Sequence, residues 1–387
     1  MKLRFSLLTV GVSLLALTGC ATTASDPAKT LSGNPSVDAA PARDKILVEY
    51  RTALTALRAG KLDEAKRLLD DALLSMGGIH ANDKNAKRAR RYFSGEDKKT
   101  FLGEPYERVM AYYYRGILYW MDGEPDNARA CFRSAQFLDG DTENKEYASD
   151  YVLLDNLDGL SSAKLAADGS DAFKRAQTTS KSFPLPAYDT KANVLFFLDY
   201  GSGPLKYATG QYGEELRFQN QTSPARSATI QVNGQTLAVR PYDDLYFQAT
   251  TRGGRVMDHI LANKAVFKTA TGAFGDAALI SGAVLGSQQG HHSSTDEIGL
   301  GLVLAGLASK IFSAATVPAA DTRTWDNLPQ YLSFAFLSLP AGQHLAKIEF
   351  NDAQGHVLPS LTKTVTINIP PGSRDSVIYV SDKSTNS

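Results

Sequence analysis

Cysteine is almost missing from this sequence: of 387 residues only Cys20 and Cys131 carry a thiol. If Cys20 is engaged elsewhere, Cys131 has no intrachain partner, and the fold must hold by packing alone even in an oxidising compartment. An excess of charge of either sign is missing as well. Lys plus Arg and Asp plus Glu both number 41, which argues against nucleic acid as the main partner, because that affinity rests on many phosphate-neutralising contacts. The sequence contains no G-x-S-x-G elbow, P-loop, H-E-x-x-H or paired C-x-x-C, so the common hydrolase, nucleotide and zinc signatures are absent. Gly299 and Gly301 lack the third glycine of a dinucleotide fingerprint. His291 and His292 lie near Asp296 and Glu297, but adjacent side chains diverge in most backbones, so a solvated loop fits them better than a metal site. Cys131, beside Phe132, reads as a packed small residue rather than a reactive thiol. No metal, no cofactor and no enzymatic activity are expected.

What is present begins at the N-terminus. Lys2 and Arg4 precede an uncharged, mostly apolar run over residues 5–17, followed by Leu17-Thr18-Gly19-Cys20. A basic start, an apolar centre and small residues before a cut form an export signal. The run falls short of the roughly 20 apolar residues that span a bilayer. Leu-Thr-Gly-Cys resembles the lipobox of bacterial lipoproteins, which implies removal of residues 1–19 and acylation of Cys20. Ala21, where enterobacterial inner-membrane lipoproteins tend to carry Asp, then implies the outer membrane. Residues 20–42 are Ala, Thr, Ser, Asp, Pro and Gly with few large apolar side chains, a tether that cannot bury enough surface to order itself.

Helical spacing predicts a domain over 43–168. Ile46, Leu47, Tyr50, Leu54 and Leu57 recur on one face, Gly60 and Lys61 interrupt, and Ala65, Leu68, Leu69, Ala72 and Leu73 resume. The arrangement returns with Tyr112, Arg115, Gly116 and Tyr119, then Ala128, Phe132 and Ala135. Ala53 stands to Ala65 as Gly116 stands to Ala128. These positions resemble the tetratricopeptide repeat, whose small and aromatic residues interlock two helices. Arg115 replaces the usual Leu, and the copies lie further apart than the roughly 34 residues of the repeat, so a plain pair of helical hairpins is the alternative. Residues 147–167 would supply a further helix.

Residues 169–190, polar with Pro184 and Pro186, read as a linker. From 191 to 387 short alternating runs at 194–198, 228–232, 236–239, 245–249, 332–337, 345–350, 365–369 and 377–380 predict strands of an antiparallel β-sandwich. Asn233-Gly234 marks a tight hairpin. The fold class expected is therefore α+β, helical hairpins followed by a β-sandwich that a Gly/Ala-rich helical hairpin interrupts over about 255–317. In that insertion Ala278, Gly282, Gly286 and Gly290, and again Gly301, Ala305, Ser309 and Ser313, recur at every fourth place. Each set would form a stripe without bulk that lets backbones approach closely. Burial against the β domain, a membrane-embedded hairpin and a homo-oligomer interface all remain open, although Asp276 and Lys310 are costly in a bilayer.

A basic cluster (Lys84, Lys87, Arg88, Arg90 and Arg91) reads as a solvated face or a surface for anionic headgroups or an acidic partner. Tyr106, Tyr113 and Trp120 are the candidates for a partner-binding groove, because Tyr and Trp dominate interface hot spots, whereas Gly116 and Tyr119 are expected in the core. The lipobox, Phe101-Leu102-Gly103-Glu104-Pro105-Tyr106-Glu107-Arg108, Tyr200-Gly201-Ser202-Gly203-Pro204 and Ala320-Asp321-Thr322-Arg323-Thr324-Trp325 before Leu328-Pro329 together resemble an uncharacterised family of bacterial tetratricopeptide-repeat lipoproteins. That resemblance implies an envelope address and this architecture, and lends no reaction. The expected function is a non-enzymatic adaptor, lipid-anchored and facing the periplasm, that holds a protein partner. A membrane-active or oligomerising component using the Gly-rich hairpin is the second reading, and an envelope hydrolase the third.

Overall fold

The structure is a computed structural model that describes residues 32–81, 100–140, 150–180, 183–189, 191–251, 319–372 and 375–385. Cys20, the basic cluster at 84–91, the His291-His292 loop and both small-residue stripes lie outside the described residues.

After a single turn, α1 (Pro35–Asp38), the chain folds into two successive helix pairs, α2 (Lys45–Arg58) with α3 (Leu62–Ala81) and α4 (Pro105–Met121) with α5 (Pro125–Asp139). Both pairs turn in the same way. Gly60 and Gly123 take φ of 71° and 80°, the left-handed conformation that glycine adopts without cost. Lys61 N then reaches Ala56 O at 2.9 Å, and Glu124 N reaches Tyr119 O at 3.0 Å. Beyond each turn Ala65, Leu69 and Ala72, or Ala128, Phe132 and Ala135, are buried. Gly116 is the tightest contact of the second pair: a Cβ there would stand 2.5 Å from the Phe132 ring. Helix α4 is started by Pro105 and by a reciprocal cap between Glu104 and Glu107.

A third pair, α6 (Val152–Lys164) and α7 (Ser170–Thr179), occupies part of the stretch expected to be a linker. Its polar composition hides a short buried stripe of Ala172 and Ala176. Phe173 closes against Gly159, where a Cβ would meet the ring at 2.9 Å.

Among the described residues ten strands form three sheets. One has the order β10–β1–β7–β6, from β1 (Val194–Tyr200), β6 (Pro241–Asp244), β7 (Tyr331–Leu337) and β10 (Ser376–Ser381). Another has the order β5–β4–β8–β9, from β4 (Ser227–Val232), β5 (Gln235–Val239), β8 (Gly342–Asn351) and β9 (Lys363–Ile369). The remaining sheet is the pair β2 (Leu205–Thr209) and β3 (Glu215–Gln219). Asn233 and Gly234, with φ of 50° and 74°, make the β4–β5 hairpin turn.

Two expectations are corrected. Strand β10 runs parallel to β1, because the chain crosses from one sheet to the other between β9 and β10 and no tight hairpin imposes the opposite direction. Residues 245–249 are not a strand but the start of α8 (Leu245–Thr250). The Asp244 side chain accepts Tyr246 N at 2.8 Å, and Leu245, Gln248 and Ala249 are buried at helical spacing.

Every residue of β1 is buried, because the strand is covered on both faces. Leu195 and Phe197 pack with the helices, and Val194, Phe196, Leu198 and Tyr200 pack against Ile230, Ile348 and Phe350 of the second large sheet. Helices, first sheet and second sheet are thus three layers, and the helices share their hydrophobic core with the strands.

Candidate functional site

The expected aromatic groove on α4 does not exist. Tyr106, Tyr113 and Trp120 are 2%, 1% and 1% exposed, so none offers surface to a partner. Tyr113 faces Phe197 of β1 with ring centroids 6.4 Å apart, Trp120 faces the same phenylalanine at 6.3 Å, and Tyr106 meets Phe218 of β3 at 5.8 Å. The cause is tertiary: the face of α4 turned away from α5 is roofed by the sheet. Tyr119, expected in the core, is only half-buried, and the Arg115 guanidinium lies 3.5 Å above its ring.

What α4 carries instead is a polar seam. Glu107, fully buried, accepts from Lys206 Nζ at 2.5 Å, from Trp325 N at 2.8 Å and from Glu104 N at 2.7 Å. Burial pushes its carboxyl upward against the opposing charge of Lys206. Lys206 Nζ also donates to Arg323 O at 2.9 Å, and Trp325 stacks on Tyr50 at 4.4 Å. Further along β1, Asp199 Oδ2 accepts from Tyr114 at 2.7 Å and Tyr379 at 2.6 Å, and Arg58 lies 3.6 Å from Oδ1. The stretches 101–108 and 320–325 thus meet Lys206 of β2 at one helix–sheet junction. The signal for Asp199 was a single charge inside an otherwise apolar strand.

Gly201-Ser202-Gly203 carries a nucleophile–amine approach. Lys383 Nζ stands 3.4 Å from Ser202 Oγ, and desolvation together with the Arg58 charge lowers the lysine pKa, although much of the side chain meets solvent. Acyl transfer needs free donors for the oxyanion as well. The neighbouring amides are already committed: Gly201 N to Asp382 Oδ2 at 2.9 Å, Ser202 N to Ser223 Oγ at 2.8 Å and Gly203 N to Leu328 O at 2.9 Å. Gly201 is required for packing, since at φ 80° a Cβ would stand 2.6 Å from Ser223 Oγ. Cys131 is equally unreactive, its thiol pushed to about 11 by burial. Among the described residues no group of three or more His, Cys, Asp or Glu side chains is placed to hold a metal, and no helix is long and apolar enough to cross a membrane.

One open feature is a slot of about 510 Å³ lined by Phe183, Pro184 and Pro186, by 237–240, and by Tyr242 and 334–336, a volume within the roughly 300–1,000 Å³ of binding clefts. Its position follows from strand geometry. Successive side chains point to opposite faces, so three consecutive residues line one space only along a strand's edge. Both Leu237–Ala238–Val239 and Phe334–Ala335–Phe336 do so. β5 is the edge of its sheet, and the β6–β7 register ends at Pro241↔Ser333, where the chain passes between sheets at Arg240. Beyond that point β7 pairs only with β1 among the described residues. Phe183 packs edge-on to Tyr242 at 5.4 Å, and Tyr242 to Phe334 at 6.5 Å, so the apolar wall is preformed.

Comparison with protein-family models, with curated proteins and with solved structures finds no match for the chain.

Proposed function

We propose that this chain is a lipid-anchored cell-envelope protein that acts as a non-enzymatic adaptor, tied through Cys20 to the outer membrane and holding a protein partner in the periplasm. In this reading the helix pairs are tetratricopeptide-like, and the two large sheets are a β-sandwich fused to them. The lipobox and its tether support the address. The observation that carries the adaptor role is the open, preformed slot between two strand edges, walled by the aromatic side chains of Phe183, Tyr242 and Phe334. The committed amides around Ser202 favour this reading over a hydrolase. Binding moves from the α4 aromatics, which are core, to the sheet edge.

The test is fractionation of cells producing Cys20→Ala, with crosslinking of the wild-type chain to its envelope neighbours. The adaptor reading expects loss of Cys20→Ala from the membrane fraction and a stoichiometric protein crosslink for wild type. Retention of Cys20→Ala in the membrane after removal of its signal would assign the anchor to the Gly-rich hairpin instead. Absence of any crosslinked protein would end the adaptor reading.

A further inference from the structure

We infer that the slot receives an extended segment of a partner protein, added as a strand to the open edge of β7, with a carboxylate of that segment on Arg240. The inference rests on the adaptor reading and names its partner chemistry. Asn193 N donates to Leu337 O at 3.1 Å, so the backbone of Leu337 faces β1. Alternation along an antiparallel strand then turns the N–H and C=O of Phe336 to the other side, into the slot. A row of main-chain donors and acceptors between apolar walls is matched by another backbone, which a lipid tail cannot supply.

The slot's own lining does not close this edge. Pro184 and Pro186 have no N–H to offer and hold their stretch away from ladder pairing. Pro241 ends β6 at the point where β7 becomes open. Strand addition also explains the two walls, because a bound strand projects alternate side chains to opposite faces. One set would meet Phe183, Tyr242 and Phe334, and the other Leu237 and Val239. Charge selects the partner. Arg240 is exposed at the mouth and enters no ion pair or hydrogen bond among the described residues, and no acidic side chain lines the slot. An acidic residue or a C-terminal carboxylate on an otherwise apolar strand is the complement.

The experiment places a photo-crosslinking phenylalanine analogue at Ala238, an exposed lining position, in the full chain in cells, with the exposed Gln354 of the loop after β8, which does not line the slot, as control. Mass spectrometry reads the attached segment, and a synthetic peptide of that segment is titrated against the purified full chain. The expected product is another protein's segment carrying a carboxylate within a residue or two of the crosslink. Its peptide should bind about tenfold or more weaker to Arg240→Glu, and Arg240→Lys should retain most binding. Methylation of alternate backbone nitrogens should abolish binding. Crosslinks at Ala238 to lipid or to this chain itself would overturn the inference, as would a yield no higher than at Gln354 or indifference to Arg240→Glu and to backbone methylation. If envelope partners are captured from other positions while Ala238 captures none, the slot fails and the adaptor reading survives. If no position captures a protein, both fail.

Discussion

The Tyr114 hydroxyl donates to Asp199 Oδ2 at 2.7 Å, joining the middle of α4 to the end of β1. Tyr379 from β10 shares the same oxygen, and Arg58 at the end of α2 supplies the balancing charge. The helix layer and the first sheet are therefore keyed to one carboxylate that is 0% exposed. Removing Asp199 leaves Arg58 buried without its counter-ion, so Asp199→Ala should destabilise by about 3–5 kcal/mol. Tyr114→Phe should cost about 1–2 kcal/mol, since a second donor remains on the oxygen. Urea unfolding measures both, and equal losses for the two variants would deny the keying role.

Gly116 gives a prediction of opposite character. Alanine favours helices over glycine by up to about 1 kcal/mol, yet a Cβ here collides with Phe132, and overpacking costs about 1–3 kcal/mol. Gly116→Ala should lower the melting temperature, and adding Phe132→Leu should recover part of the loss. Additive losses in the double variant would show that the two residues do not interlock.

The pH dependence of stability follows from buried carboxyls. Burial pushes Glu49 up to about 6 even though Lys45 Nζ stands 3.3 Å from its Oε1. Burial likewise pushes Asp243 to about 8, although it caps Val152 N and Leu153 N at the start of α6. A carboxyl whose pKa is raised by folding binds its proton more tightly in the native state. Its contribution is complete below the unfolded value near 4 and is lost as pH climbs to the folded value. Stability should fall from about pH 5 to pH 8. Glu49→Gln should make that slope shallower below about pH 6, leaving the shares of Asp155 and Asp243, and raise stability at pH 7 by about 1–2 kcal/mol. Thermal melts across this range decide it, and a Glu49→Gln profile parallel to wild type would refute the assignment.

Cys131 should resist thiol reagents at pH 8 in the native protein and react fully once unfolded, because burial disfavours its thiolate. A thiol assay with and without denaturant checks this. Fast native labelling would mean that α5 opens readily from α4.

Local signals were legible in the sequence wherever one element satisfied itself. The Gly60 turn, the Gly116–Phe132 contact, the Asn233-Gly234 hairpin and the strands at 194–198, 228–232 and 345–350 rest on spacing and on backbone preference, both carried by neighbouring residues. Residues 245–249 misled because a run of Leu, Tyr and Phe also suits a strand, and the cap on Asp244 decided for a helix. The segment that became α7 misled because two alanines and one phenylalanine are too little surface to register until Gly159 is seen opposite.

The sequence by itself determined which residues pair into helices and hairpins, since those interactions span a few positions. It did not determine which face of α4 would be core. Tyr113 and Tyr119 lie on different faces of one helix, and the helical wheel is silent on what covers each. Only the tertiary structure brought β1, β3 and β10 over the Tyr113 side and left Tyr119 at the margin. The same holds for the parallel entry of β10, the Glu107–Lys206 pair and the slot between β5 and β7. All of these depend on contacts between residues roughly a hundred or more positions apart, whose partners are chosen by the joint burial of three layers and not by any local pattern.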